Sequence, residues 1–274
     1  MRIAVYQSRT GIDPQANAEA LVGAIKTARD GGAAMLFTPE MGNLIDRDRD
    51  RAAAHRRTEA EDPVFRAVAA AAARTGLWVQ LGSIGVDAGD GRMANRALLI
   101  DDQGAVRARY DKMHLFDVDL PDGGSWRESA SYRAGADAVV VETPAGRLGL
   151  SICYDLRFPA LYQALSDAGA TILSVPAAFT VPTGRAHWHV LLRARAIEAG
   201  AYVVAAAQSG RHADGRETYG HALVVDPWGE VVLDMGRDIG VGFAEIDAAR
   251  IAEVRGRIPV LDHRRSIGPV RAMP

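Results

Sequence analysis

Arg147-Leu148-Gly149-Leu150-Ser151-Ile152-Cys153-Tyr154-Asp155-Leu156-Arg157-Phe158-Pro159 reads as a strand running into a sharp bend. The apolar run Arg147–Ile152 delivers Cys153, a short polar turn follows, and Pro159 opens a helix over Pro159–Ala168, because proline's fixed φ and missing N–H suit a first helical turn. A further strand is expected at Thr171–Val175, so the unit is a strand, a helix and a strand. Outward from it the same alternation continues. Strands are expected at Arg2–Gln7, Ala33–Thr38, Leu77–Ser83 and Tyr202–Gln208, and helices at Pro14–Asp30, Pro63–Thr75 and Ala186–Ala199. Three hairpins interrupt them: Arg92–Ile100 with Ala105–Arg109, Ala138–Glu142 with Arg147–Ile152, and Ala222–Val225 with Val231–Leu233. Interleaved helices imply covered sheets, and hairpins exclude an all-parallel sheet, so a mixed-sheet α/β sandwich is expected. Asp46–Arg57 reads as a charge-rich surface segment and Asp119–Gly135 as a long polar connection.

The chain has 274 residues, 48% hydrophobic and 24% charged, with a formal net charge of −2, which describes an ordinary globular protein. One domain spanning 1–274 is expected. Near-neutral charge argues against a nucleic-acid partner or an anionic membrane surface. The longest apolar runs fall short of the ~20 residues that span a bilayer. Met1–Gln7 reads as a strand rather than an export segment, and a single cysteine makes no internal disulfide, so a reducing cytoplasm is the expected location.

Only two of the 32 basic residues are lysines, Lys26 and Lys112. Lys26 belongs to an amphipathic helical pattern. Lys112 follows a strand, where a compact ammonium can donate to one point as a planar guanidinium cannot. Glu40 ends the buried-looking Met35-Leu36-Phe37-Thr38-Pro39 run, at the kind of strand edge where ligand crevices form. Taken singly, Cys153 reads equally as a packing residue and Glu40 and Lys112 as solvated charges. Together, three strands end in an acid, a base and a thiol. The bend before a helix N-terminus is also expected to ease formation of the Cys153 thiolate.

At these residues the sequence resembles the nitrilase superfamily of carbon–nitrogen hydrolases. The resemblance runs from the first strand through Pro39-Glu40, Lys112-Met113-His114 and Cys153-Tyr154-Asp155-Leu156-Arg157-Phe158-Pro159 to His263-Arg264-Arg265. It implies a four-layer αββα sandwich, a catalytic set of Glu40, Lys112 and Cys153, and a second glutamate, Glu128 of Arg127-Glu128-Ser129. It also implies a homodimer or higher homo-oligomer paired through the cysteine-bearing region, and places Arg157, Phe179 and Thr183 near the substrate. Within the superfamily, Ala186-His187-Trp188, Ala207-Gln208-Ser209-Gly210-Arg211-His212 and Tyr219-Gly220-His221 look most like the deaminated-glutathione amidase branch. Omega-amidases, acting on 2-oxoglutaramate or 2-oxosuccinamate, and N-carbamoyl hydrolases are the related alternatives. Several relatives carry Glu after His-Trp where this chain has His189, a departure expected to bear on substrate contacts.

The residues imply a mechanism. Glu40 takes the proton of the Cys153 thiol, the sulfur attacks a small carboxylate-bearing amide, and Lys112 with the Tyr154 N–H holds the oxyanion. Glu40 then protonates the leaving nitrogen and activates water to cleave the thioester. Glu128 keeps Lys112 charged. Arg157 meets a substrate carboxylate or else makes a helix-surface ion pair, and Phe179 lines the substrate or else belongs to the core. No cofactor and no metal is expected, because His187-Trp188-His189 places neighbours on different helix faces and no Cys/His pair completes a site. A papain-like peptidase would need a Cys-Gly-Ser-Cys type signature that is missing here. A non-catalytic binding protein would have no need of the intact acid, base and thiol.

Overall fold

Alternation along the strands decides which way each layer faces. The computed structural model describes residues 1–119 and 124–273. Its first half runs β1 (Arg2–Gln7), α1 (Pro14–Asp30), β2 (Met35–Phe37), α2 (Arg49–Ala53), α3 (Pro63–Thr75), β3 (Trp78–Asp87), β4 (Met93–Ile100) and β5 (Val106–Asp111). A small hairpin follows, β6 (Asp117–Asp119) with β7 (Ser125–Arg127). Next come β8 (Val140–Thr143), β9 (Gly146–Leu150), α4 (Pro159–Asp167), β10 (Ile172–Ser174), α5 (Val181–Ala199) and β11 (Tyr202–Ala205). The chain continues with β12 (Ser209–Arg211), β13 (Glu217–Tyr219), β14 (Leu223–Val225), β15 (Val231–Asp234), β16 (Gly240–Glu245) and α6 (Ala248–Arg257).

Two six-stranded sheets result, ordered β16-β1-β2-β3-β4-β5 and β15-β14-β11-β10-β9-β8. Each has a parallel trio at its centre, β1-β2-β3 and β9-β10-β11, flanked by antiparallel strands. In β1, Ile3 and Val5 point into a core shared with Leu148, Leu150, Ile172 and Val204 of the other sheet, while Ala4 and Tyr6 point to α1 and α3. The outer face of the second sheet is covered by α4 and α5 through residues such as Tyr162, Leu165, Trp188 and Leu192. The layers are therefore helix, sheet, sheet, helix, and strands buried on both faces explain why their sequences are continuously apolar rather than alternating with polar residues.

Several segments differ from their sequence reading. α5 starts at Val181 rather than Ala186; Gly184 weakens the helical signal but is required, since a Cβ there would lie 2.2 Å from the Tyr219 ring. The polar connection Asp119–Gly135 holds β7 and a turn carrying Glu128, short local structures without a hydrophobic period; its positions 120–123 lie outside the described residues. Asp46–Arg57 contains α2, capped by the Asp48 carboxylate. Gln208 leaves the strand expected over Tyr202–Gln208 and ties the two sheets. Its amide oxygen accepts from Ser8 Oγ and the Thr10 N–H, and its Nε2 donates to Thr10 Oγ1 and the Glu40 carbonyl, 2.6 and 2.9 Å away.

The turn that carries Glu40 lies against β3, and Gly82 is what lets it approach. A Cβ at Gly82 would sit 1.9 Å from the Thr38 carbonyl oxygen and 2.5 Å from that of Pro39. Gly82→Ala is expected to lower stability by about 1–3 kcal/mol through overpacking and to displace the Glu40 turn, so that turnover falls together with the urea midpoint. Unchanged activity and midpoint in urea titrations would show that the turn does not depend on this contact.

Candidate active site

Strand direction gathers the functional residues at one edge. Glu40 follows β2, and two antiparallel steps from β3 through β4 to β5 restore the same direction, so Lys112 emerges beside it. From the facing sheet, β9 leads to Cys153 and β10 to Ala178. Glu128 comes from the turn after β7.

Lys112 is 2% exposed, and its ammonium lies between two carboxylates: 3.0 Å from Glu40 Oε1, and 3.1 and 2.9 Å from Glu128 Oε1 and Oε2. Asn95 Nδ2 donates to both acids, at 3.0 Å to Glu40 and 3.3 Å to Glu128. The Ala178 N–H donates to Glu40 Oε2 at 2.8 Å, and the Phe116 N–H to Glu128 Oε2 at 2.7 Å. Burial alone would neutralise Glu40 and Lys112, but pairing prevails: burial disfavours charged Glu40, yet Lys112 and the hydrogen bonds hold that carboxyl below the usual range. Burial likewise opposes the Lys112 charge, and Glu128 and Glu40 raise its pKa well above the ordinary lysine value.

Cys153 opens a 3-10 turn (Cys153–Arg157) with φ of +50°, a left-handed conformation that costs a β-carbon-bearing residue about 1–2 kcal/mol. Its N–H donates to the Pro176 carbonyl, and Asp155 pins the bend. The fully buried Asp155 carboxylate accepts from the Ile152 N–H (2.9 Å), Tyr110 Oη (2.6 Å) and the His114 N–H (3.0 Å), and meets His114 Nδ1 at 2.7 Å. The bend is thus fastened to the end of β5, beside Lys112. The expected ease of thiolate formation is overturned: burial first, then the neighbouring Glu40 charge, push the thiol well above its ordinary value. Both shifts describe a Cys153 thiol beside an ionised Glu40.

These residues open on one cavity of about 580 Å³ that also contains Tyr154, Arg157, Phe179 and Thr183 in its lining. All eight residues singled out in the sequence therefore share one site. Arg157 has no acidic ion-pair partner among the described residues; its Nη2 meets His187 Nδ1 at 3.2 Å, and its guanidinium lies over the Tyr154 and Phe179 rings. Phe179 is 7% exposed and packs on Trp188, serving core and cavity wall at once. His189, where several relatives carry Glu, is not part of this lining, so the departure at that position leaves the cavity wall unchanged. Asp46–Arg57, read as surface, contributes Asp46, Arg47, Arg49 and Ala52 to the wall, and Arg127 and Arg216 add further cations. The sequence reading assigned no role to Asn95, Asp155 or Gln208. A lone Asn inside the apolar β4 was the available signal, since a buried amide in a strand demands partners.

The family model described as Carbon-nitrogen hydrolase matches residues 2–256. The chain is 43% identical over 243 residues, covering 86% of this chain and 83% of the other, to a protein of Yersinia enterocolitica named deaminated glutathione amidase. Its structure is similar to that of Saccharomyces cerevisiae Nit3, described as a member of branch 10 of the nitrilase superfamily, with a TM-score of 0.86, 25% identity and 97% of each chain covered. It is also similar to a mutant amidase of Nesterenkonia sp. AN1 showing Michael addition of acrylamide at the active-site cysteine, with a TM-score of 0.78, 26% identity, and coverage of 94% of this chain and 98% of that one.

The geometry separates base strength from thiolate stability. Glu40→Gln removes the negative charge that opposes ionisation of Cys153 while Lys112 remains, so the thiol pKa is expected to fall even as turnover is lost. The pH dependence of iodoacetamide alkylation reads this directly; a midpoint unmoved or raised in the variant would mean that Glu40 does not face the sulfur as an anion.

Proposed function

The chain belongs to the carbon–nitrogen hydrolase family and hydrolyses non-peptide carbon–nitrogen bonds in amides, and we propose that its substrate is deaminated glutathione, cleaved through a Cys153 thioester. The observation that carries the reading is the buried Glu40–Lys112–Glu128 cluster against a protonated thiol, in a cavity with arginines both half-buried and exposed. Glu40 accepts the Cys153 proton as the sulfur attacks the amide carbonyl. The resulting oxyanion is held by the Lys112 ammonium and the Tyr154 N–H. Glu40 passes its proton to the leaving nitrogen, the amine departs, and the acyl group stays on sulfur. Glu40 then deprotonates a water that attacks the thioester, releasing the acid and restoring the thiol. Glu128 keeps Lys112 charged and in place.

Deaminated glutathione carries a carboxylate at each end. Arg157, stacked on Tyr154 and Phe179 without an acidic partner among the described residues, suits the one beside the oxo group, with Thr183 adjoining. Exposed Arg47, Arg49 and Arg127 suit the distal one. A short omega-amide such as 2-oxoglutaramate would leave those outer cations unused. The same reading carries the chain as a cytoplasmic homodimer paired near the cysteine bend, and exposed Val190 and Ile197 on α5 support a covered helix face. Among the described residues, no helix is long and apolar enough to cross a membrane.

Purified protein is expected to release acid product from deaminated glutathione with a higher kcat/KM than from 2-oxoglutaramate, an N-carbamoyl amino acid or a simple nitrile, and Cys153→Ala is expected to abolish release while keeping its fold. A preference for 2-oxoglutaramate would move the assignment to the omega-amidase reading.

Arg157→Leu is expected to weaken kcat/KM for an acid substrate by about ten- to hundredfold, the roughly 1.5–3 kcal/mol of a charge-assisted hydrogen bond. Its methyl ester, offered to the same variant, should lose far less. Steady-state kinetics on the matched pair check this, and equal losses would return Arg157 to a structural part.

A further inference from the structure

His187 and His189 do not act together. His187 reaches Arg157 at the active-site cavity, whereas His189 leaves α5 on another face and meets two residues distant in sequence, His221 and Asp234. His189 Nε2 lies 3.1 Å from Asp234 Oδ2, and His221 Nδ1 lies 2.9 and 3.2 Å from Asp234 Oδ1 and Oδ2. One ligand atom from each of the three falls within 4.8 Å of the other two, and none of the three residues lines the active-site cavity.

We propose that His189 Nε2, His221 Nδ1 and an Asp234 carboxylate oxygen form a binding site for a zinc-class divalent cation, with water in a fourth position. Bonds of ~2.0–2.2 Å at tetrahedral angles put neighbouring ligand atoms roughly 3.3 Å apart; Asp234 already lies 2.9–3.2 Å from both imidazoles, and the two histidine nitrogens, within 4.8 Å of each other, close the remainder by side-chain rotation. Two imidazoles and one carboxylate favour Zn²⁺ or its transition-metal neighbours over Ca²⁺ and Mg²⁺, which prefer all-oxygen shells. All three residues are partly open to solvent, which gives the ion an entry path and the fourth position a water.

The supporting framework is rigid. His221 has φ of +55°, its N–H donates to the Gly236 carbonyl at 2.6 Å, and its carbonyl accepts from Trp188 Nε1 at 2.7 Å. Its ring stacks on Tyr219, with centroids 4.5 Å apart. Asp234 accepts the Gly236 N–H at 2.8 Å, which together with the two histidines outweighs partial burial and keeps the carboxyl below its usual range. Oriented ligands on a clamped backbone are what a preorganised metal site requires. The three ligands come from α5, the turn after β13 and the end of β15, so the ion would clip the helix to the hairpin β14–β15. Without an ion, the same atoms form a carboxylate accepting from two imidazoles, and the experiment must separate the two states.

The test uses the untagged full chain carrying Cys153→Ala, so that the active-site thiol cannot bind metal. Titration with Zn²⁺ is expected to show one saturable equivalent per chain and a higher thermal midpoint, and Co²⁺ to give the intense visible bands of a tetrahedral N/O site. Adding His189→Ala, or separately Asp234→Asn, is expected to weaken Zn²⁺ affinity at least tenfold and to remove the thermal shift. No saturable equivalent, or affinity unchanged in both folded variants, would leave a hydrogen-bonded triad only and overturn the proposal.

Discussion

The Lys112 ammonium is the charge on which the rest of the site depends. An ion this deeply buried survives only when paired and hydrogen-bonded on every side, and removing one partner of such a cluster typically costs about 3–5 kcal/mol. Glu40 and Glu128 answer it, and Asn95 ties the two acids to one another. The Ala178 amide then takes the second oxygen of Glu40, and the Phe116 amide shares Glu128 Oε2 with the ammonium. Five separate chain segments are in this way held to one point by electrostatics that would be ruinous if any one of them drifted. Arginine does not suit the position, because a planar fork of several donors is a poor match for two carboxylates converging on one point in so small a space.

The second constraint is the left-handed bend at Cys153. Its strain is offset by Asp155, whose buried carboxylate collects donors from the bend itself and from the end of β5. The nucleophile and the lysine are therefore positioned by one shared anchor. This coupling explains how the sulfur can stay protonated at rest without being inert. Burial and the Glu40 charge keep the proton on sulfur, and in the proposed mechanism Glu40 is the group that accepts it. A resting thiol is also spared the side reactions of a permanent thiolate.

Much of this was legible in the chain. Strand and helix periodicity located most core elements, because segments buried on both faces of a sheet carry uninterrupted apolar runs whatever their neighbours are. Glu40 and Cys153 stood at the ends of such runs and Lys112 at the end of the alternating β5, and in a layered α/β molecule strand ends are where side chains converge. Less was readable where short pieces depend on remote contacts. The β6–β7 hairpin has no hydrophobic period to announce it, and at the early start of α5 the first-turn Pro182 is opposed by Gly184, which argues against the helix it belongs to until the Tyr219 ring is seen beside it.

Sequence by itself determined the layered class, the chemistry of acid, base and thiol, and the Gly, Pro and Asp residues that start and stop the elements, since those follow from side-chain type and local backbone preference. Tertiary structure alone decided which groups share a charge. Asn95, Asp155 and Gln208 became positioning residues only when their partners, 33 to 200 positions away, were folded against them. His189 parted from His187 and joined His221 and Asp234 for the same reason. Hydrogen bonds and ion pairs act over a few ångströms of space, and distance along the chain says nothing about that until the sheets have met.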